Sequence, residues 1–103
     1  MKFIILKDHL NESINHVSKA ISSRTTIPIL TGIKIDAHAI GVTLTASDTD
    51  ISIQSFTPLE TSDLNIIQII QPGSVVLPAR FFIEIVRRAF SSEILMTSGI
   101  QLK

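Results

Sequence analysis

Two groups of charged residues have types and spacing that could support chemistry. The first is a pair of aspartates, Asp48 and Asp50, separated by one threonine. Paired carboxylates can hold Mg²⁺ or Mn²⁺, but neither a third ligand nor EF-hand spacing follows in the sequence. Because aspartates beside a strand commonly form turns, we expect a turn here and no metal site. An enzyme that uses a divalent metal on these two carboxylates is the less favoured hypothesis.

The second group consists of cations in or beside two predicted helices. Its members are Lys19, Arg24, Arg80, Arg87 and Arg88. Arg80 begins a run in which Glu84 and two further arginines follow at i+4, i+7 and i+8, and this spacing places all four on one stripe of a helix. Such a row of cations can neutralise phosphate groups without reading bases. The plainer alternative is that a few cations keep the helix soluble.

The sequence lacks the usual patterns of catalysis. The three histidines, His9, His16 and His38, have no nucleophile motif near them and are expected to be solvated. The four glycines are scattered and form no phosphate-binding loop. The absence of cysteine rules out disulfides, thiol catalysis and zinc sites of the cysteine type. We therefore expect no catalytic residue, no metal and no cofactor.

Charge is distributed unevenly along a chain whose formal net charge is zero. No lysine or arginine lies between residues 35 and 79, whereas five acidic residues do. The helices are thus predicted to be basic and the strands acidic. The five phenylalanines are expected at core positions, which leaves no aromatic surface on which single strands could stack. If the chain binds nucleic acid, a duplex backbone is the favoured target.

Two helices are predicted from the spacing of apolar residues. The first runs from residue 9 to about residue 22, with Asp8 as its cap. The second opens at Pro78, where the missing N–H would be unpaired in any case, and ends at Ser91. Aromatic and aliphatic side chains cover most of the second helix. We therefore expect it to be deeply packed and to show solvent one narrow, mainly cationic edge.

Strands are predicted in most of the remaining sequence. Alternation of apolar and polar residues favours a hairpin between residues 33–37 and 42–46. Further strands are expected at residues 3–6, 51–56, 65–70, 74–77 and 93–97, with a loop at 57–64 and the beginning of a partner strand at 100–103. This order indicates an α+β fold in which two helices pack on one face of a mainly antiparallel sheet, with the final strands missing.

Length and composition set the outer limits. A chain of 103 residues is one domain or part of one, over residues 1–103, and a composition of 45% hydrophobic and 17% charged residues is typical of a folded protein. No apolar run approaches the roughly 18 residues that a membrane span needs. The apolar start is interrupted too early for a signal peptide. We expect a cytoplasmic protein with no membrane partner.

Four blocks of the sequence resemble a known family in order and spacing. They are Met1-Lys2-Phe3 with Lys7-Asp8, then Ser22-Ser23-Arg24-Thr25-Thr26-Ile27-Pro28-Ile29-Leu30-Thr31-Gly32-Ile33-Lys34-Ile35, then Ser47-Asp48-Thr49-Asp50-Ile51-Ser52-Ile53, and finally Gln71-Pro72-Gly73-Ser74 with Pro78-Ala79-Arg80-Phe81-Phe82 and Glu84-Ile85-Val86. The chain thereby resembles the N-terminal domain of the bacterial DNA polymerase III beta subunit, the replicative sliding clamp, in a Bacillus-like form. The similarity extends from residue 1 to about residue 88.

The resemblance implies a non-catalytic processivity factor within a DNA-directed DNA polymerase holoenzyme. Clamps of this family form a head-to-tail dimer ring that encircles double-stranded DNA without regard to sequence and tethers the replicative polymerase. By the resemblance, Arg24 and Arg80 are expected to approach DNA most directly, followed by Lys19, Arg87 and Arg88. Polymerase and clamp loader would bind parts of the full-length clamp that are not present here.

The sequence also departs from the family. A clamp subunit is several times longer than this chain, and its first domain continues with further strands. After Arg88, the run Ala89-Phe90-Ser91-Ser92-Glu93 differs from the proline-containing connection that the family usually has. An alternative function is therefore a short stand-alone homologue that acts as an interaction module or as a regulator of the full-length clamp.

Overall fold

The computed structural model describes residues 1–18, 32–47 and 52–97. The described helices are α1 (Lys7–Val17) and α2 (Ala79–Arg88). The described strands are β1 (Lys2–Leu6), β2 (Gly32–His38), β3 (Gly41–Ser47), β4 (Ser52–Pro58), β5 (Glu60–Thr61), β6 (Leu64–Asn65), β7 (Ile67–Gln71), β8 (Gly73–Pro78) and β9 (Glu93–Thr97). The expected turn at Asp48 and Asp50, and the expected strand at residues 100–103, lie outside these residues.

The strands form two larger antiparallel sheets and a short ribbon. The four-stranded sheet has the order β4-β3-β2-β8, the three-stranded sheet has the order β7-β1-β9, and β5 pairs with β6. The predicted α+β class, with two helices and mainly antiparallel strands, is confirmed. In detail the strands are divided between two sheets, whereas the alternation pattern had suggested one.

The strands are divided between two sheets because the strand before each helix and the strand after it belong to different sheets. Strand β1 precedes α1 but pairs with β9, which follows α2. Strand β8 precedes α2 but pairs with β2, which follows α1. Each helix therefore connects one sheet to the other. The strand that precedes one helix pairs with the strand that follows the other helix. The sequence pattern defines which side chains of a strand point inward, but not which strand becomes its neighbour.

One apolar core lies between the sheets and the helices. On β2, alternate residues Ile33, Ile35 and Ala37 are buried, and they stand opposite the buried Ala46, Leu44 and Val42 of β3. On β1, Phe3 and Ile5 are buried in the same cluster. Burial of these side chains is the main stabilising term, worth about 1.5–3 kcal/mol for each large aliphatic or aromatic group.

The two helices pack side by side over this core. Helix α1 packs against β4 and β3, α2 packs against β8, and the helices contact each other. From α1 the core receives Leu10, Ile14 and Val17, and from α2 it receives Ala79, Phe82 and Val86. Because side chains of both helices belong to one buried cluster, no sheet separates α1 from α2.

Several boundaries differ from the sequence prediction. Helix α1 begins at Lys7, so Asp8 lies in the first turn and not at the cap, and the cap residue Leu6 makes no side-chain capping bond. A carboxylate in the first turn still suits the helix dipole. Strand β4 continues through Pro58, which is tolerated because β4 is at the edge of its sheet. The region expected as a loop therefore contains the end of β4 and the β5–β6 ribbon.

Candidate nucleic-acid interface

The three predicted arginines of the second helix lie together on one side of α2. Arg80, Arg87 and Arg88 are all exposed, and the exposed Glu84 stands among them at i+4 from Arg80. Their spacing places the four side chains on one stripe, as the sequence predicted. The buried residues Phe82 and Val86 lie on the other side of the helix and fix this orientation. The packing of α2 thus sets which way the cations point.

The prediction that α2 is deeply packed and shows solvent only a narrow cationic edge is wrong. Phe81 is 63% exposed and Ile85 is 52% exposed, and Phe90 beyond the helix is fully exposed. Both helical residues lie at positions adjacent to the arginine stripe. In the described residues α2 packs against β8 and α1, and this leaves its far side facing solvent. The sequence could not show this, since burial depends on which elements lie beyond the helix.

The phenylalanines also differ from the expectation that all of them are core residues. Phe3 and Phe82 are buried, but Phe56, Phe81 and Phe90 are exposed. Phe56 points away from the helices on the outer face of β4, where its ring stacks on His38 with centroids 5.9 Å apart. The argument against an aromatic stacking surface therefore does not hold at Phe81, which lies beside the arginines.

Lys7 connects the start of α1 to the end of α2. Its backbone N–H donates to the Ser92 carbonyl at 2.8 Å, and its ammonium Nζ donates to the Ala89 carbonyl. A cation at the C-terminal end of a helix satisfies unpaired carbonyls and suits the helix dipole. Lys7 therefore fixes the end of α2 that carries Arg87 and Arg88. The sequence pattern could not indicate this contact, because the acceptor lies 82 residues away.

The prediction that both helices are basic holds for α2 but is wrong for the described α1. Helix α2 carries three arginines against one glutamate, whereas α1 contains Lys7 together with Asp8 and Glu12. The single ion pair of the described residues joins Lys34 and Asp36 at 3.8 Å on the outer face of β2. None of the α2 arginines thus forms an ion pair with a described carboxylate. Lys19 and Arg24 lie outside the described residues, so their relation to this stripe stays a prediction.

Other polar groups of the described residues lie away from the arginine stripe. No group of three histidine, aspartate or glutamate side chains among the described residues could hold a metal ion. His9 and His16 line a cleft between α1 and β4 that also contains Ser13, whose buried hydroxyl lacks a hydrogen-bond partner among the described residues. Neither α1 nor α2 is long and apolar enough to cross a membrane.

Comparison with known proteins identifies the origin of this arrangement. The family model of the DNA polymerase III beta subunit, N-terminal domain, matches residues 1–99. The chain belongs to this family. The beta subunit resemblance is therefore confirmed over nearly the whole chain, including the strand–helix–strand segments that carry the arginine stripe.

Two relatives show how similar the chain is to individual beta subunits. The beta sliding clamp of Bacillus subtilis strain 168 is 64% identical over 88 residues, which cover 85% of this chain and 23% of the relative. The beta sliding clamp of Halalkalibacterium halodurans is 56% identical over 94 residues, which cover 91% of this chain and 25% of the relative. The chain thus spans about a quarter of the length of the curated relatives it matches, and the Bacillus-like character is confirmed.

Solved structures confirm the beta-subunit fold. The crystal structure of the DNA polymerase sliding clamp from Bacillus subtilis matches with a TM-score of 0.85 at 59% identity, covering 92% of this chain and 25% of that chain. The beta subunit from Streptococcus pyogenes matches with a TM-score of 0.83 at 33% identity, covering 96% and 25%. The two helices and the antiparallel sheets are therefore those of a sliding-clamp domain.

Proposed function

We propose that this chain provides the N-terminal part of a DNA sliding clamp, a non-catalytic processivity factor for the replicative polymerase. In this role residues 1–103 form an incomplete N-terminal domain of a ring around duplex DNA, and α2 faces the phosphate backbone. The observation that carries the proposal is the exposed arginine stripe on α2, in a chain that belongs to the beta-subunit family.

The chemistry of the stripe suits a contact that slides. Arginine and lysine side chains bind phosphates of any sequence, so such a contact carries no base preference. Three guanidinium groups share one helix face with the carboxylate of Glu84, so their net attraction to phosphates is modest and the binding is weak. Affinity of this kind falls as salt rises, because bound counterions are released from the DNA. A ring can therefore move along the duplex while topology keeps it from dissociating.

The proposed partners follow from the same family membership. They are double-stranded DNA, further clamp subunits that complete the ring in a head-to-tail dimer, and the polymerase and clamp loader through parts of the full-length clamp outside this chain. Among the site residues, Arg80, Arg87 and Arg88 are proposed DNA contacts on the described helix α2. Lys19 and Arg24, which follow α1 in the sequence, are proposed as further contacts.

The test uses a full-length Bacillus subtilis clamp in which residues 1–88 come from this chain. Changing Arg80, Arg87 and Arg88 together to glutamate should weaken binding to duplex DNA. It should also make the plot of log affinity against log salt less steep, by about 0.9 in slope for each phosphate that is no longer neutralised. Arg24→Glu alone should weaken duplex binding and reduce its salt dependence by smaller amounts. Lys34→Glu, on the outer face of the sheet, is the matched control and should change neither.

Two results would count against the proposal. If the triple charge reversal left the salt dependence of duplex binding unchanged, the α2 stripe would not face phosphates. If Lys34→Glu weakened binding as much as the α2 changes, the effect would come from net charge and not from the position of the cations.

A further inference from the structure

Helix α2 carries one acidic residue, Glu84, in the middle of its arginine stripe. Arg80 lies four residues before it, and Arg87 and Arg88 lie three and four residues after it. Residues three or four apart are neighbours on a helix surface, with Cβ atoms about 5–6 Å apart. The carboxylate of Glu84 is therefore within side-chain reach of all three guanidinium groups.

This carboxylate is not held by another part of the described structure. Glu84 is exposed, and its side chain forms no hydrogen bond or ion pair within residues 1–18, 32–47 and 52–97. The exposed ion pair of those residues joins Lys34 and Asp36 on β2 instead. The carboxylate of Glu84 thus stays available to each arginine of the stripe in turn.

The core fixes the direction in which the whole group faces. Ala79, Phe82 and Val86 are buried on the other side of α2. The helix can therefore not rotate Glu84 away from a ligand that approaches the arginines. Any polyanion that binds the stripe must come close to a carboxylate, and like charges repel.

We propose that Glu84 controls the strength and the mobility of the α2 contact, because it competes with DNA phosphates for the three arginines. This inference rests on the proposed function, in which α2 faces the duplex. A carboxylate accepts two parallel hydrogen bonds from a guanidinium group, as a phosphate does. A guanidinium group that leaves one phosphate can therefore bind Glu84 before it binds the next phosphate. This exchange lowers the barrier between successive positions on DNA, so that the stripe slides.

The expected size of the effect follows from ion pairs on exposed helices. One pair at i+3 or i+4 shifts an equilibrium by roughly a factor of two. A single carboxylate pairs with one or two of its three neighbours at a time. Loss of the carboxylate should therefore strengthen duplex binding about two- to fourfold.

Glu84→Gln in the chimeric full-length clamp tests the inference. The substitution removes the charge and keeps the shape, and both residue types favour helices. Duplex binding should become about two- to fourfold tighter. The plot of log affinity against log salt should become steeper, by up to about 0.9 in slope for one additional neutralised phosphate. Diffusion of the loaded ring along duplex DNA, followed by single-molecule tracking, should become slower.

Two further variants separate charge from position. Glu84→Asp keeps the carboxylate, and it should leave affinity, salt dependence and diffusion close to those of the unchanged chimera. Glu60→Gln removes the same charge from an exposed residue of β5, outside both helices, and it should change none of these quantities.

The direction of the change excludes a merely structural role for Glu84. A substitution that disturbed α2 would present the arginines less well, and duplex binding would become weaker. The inference requires tighter binding and slower diffusion together. Weaker binding of Glu84→Gln, or equal tightening by Glu84→Gln and Glu60→Gln, would overturn it.

Failure of the inference is distinguishable from failure of the proposed function. If Glu84→Gln changed neither affinity nor diffusion while the triple arginine reversal weakened binding, α2 would face DNA but Glu84 would not control the contact. If the triple reversal had no effect either, α2 would not face DNA, and both the inference and the proposed function would be wrong.

Discussion

Single residues fix the geometry of this molecule at two points that lie far from the arginines in sequence. Gly41 has a φ of +152°, and a Cβ there would collide with the Thr57 carbonyl oxygen and approach the Phe56 ring to 2.9 Å. Lys7 joins the two helices through the Ser92 and Ala89 carbonyls. The hairpin that contains Gly41 was predicted from the alternation in residues 33–37 and 42–46. The Lys7 contact was not, since it depends on the tertiary fold.

We expect Gly41→Ala to lower the free energy of unfolding by about 1–3 kcal/mol, because alanine is strained at this φ and its Cβ meets backbone. Urea denaturation followed by circular dichroism measures the effect. Gly32→Ala is the control: its backbone is not in the left-handed region, and the added Cβ meets only the side chain of Val76 at 3.0 Å, which can move. Equal losses for the two variants would contradict this account of Gly41.

Lys7→Met should lower the free energy of unfolding by up to about 3 kcal/mol, because hydrogen bonds to charged groups contribute about 1.5–3 kcal/mol. The methionine keeps the apolar stem of the lysine but lacks its ammonium donor. Lys34→Met removes a cation whose ion pair with Asp36 is exposed and 3.8 Å long, and it should change the unfolding free energy by less than about 0.5 kcal/mol. If both substitutions had the same small effect in urea denaturation, Lys7 would not tie α1 to α2.

At the scale of elements, α2 shows what a helical pattern can and cannot predict. The i, i+4, i+7, i+8 spacing of Arg80, Glu84, Arg87 and Arg88 correctly placed the four on one exposed stripe. The hydrophobic pattern overestimated burial, because Phe81 and Ile85 look like core residues in sequence but remain more than half exposed in the described structure. Helix periodicity defines angular position, whereas burial also requires a neighbour.

Adjacent phenylalanines on α2 provide a direct test of this orientation. Phe82 is 2% exposed and Phe81 is 63% exposed. Phe82→Ala should therefore lower the free energy of unfolding by about 3–5 kcal/mol, while Phe81→Ala should cost less than about 1 kcal/mol in the monomer. Denaturation is measured at low protein concentration, so that association does not contribute. A larger loss for Phe81→Ala would mean that the helix is rotated from the orientation described.

At the scale of the whole molecule, each helix connects the two sheets, and the strand before one helix pairs with the strand after the other. Sequence alternation correctly located β2, β3 and β9 and the inward faces of β2 and β3, and the family blocks identified the beta-subunit fold. Neither alternation nor spacing indicated that β1 pairs with β9 and β8 with β2, because strand pairing over long separations is decided by how the helices return the chain to the core. The same topology places α1 and α2 side by side.

We propose that this chain contributes to a ring that holds duplex DNA by topology, with loose contacts from α2. The most direct measurement compares the chimeric full-length clamp, loaded by a clamp loader, on nicked circular duplex and on the same duplex after cutting. We predict that the clamp stays on the circle at high salt and leaves after cutting, and that the isolated chain binds both DNAs equally weakly. Retention that is the same on circular and linear DNA at high salt would contradict the claim.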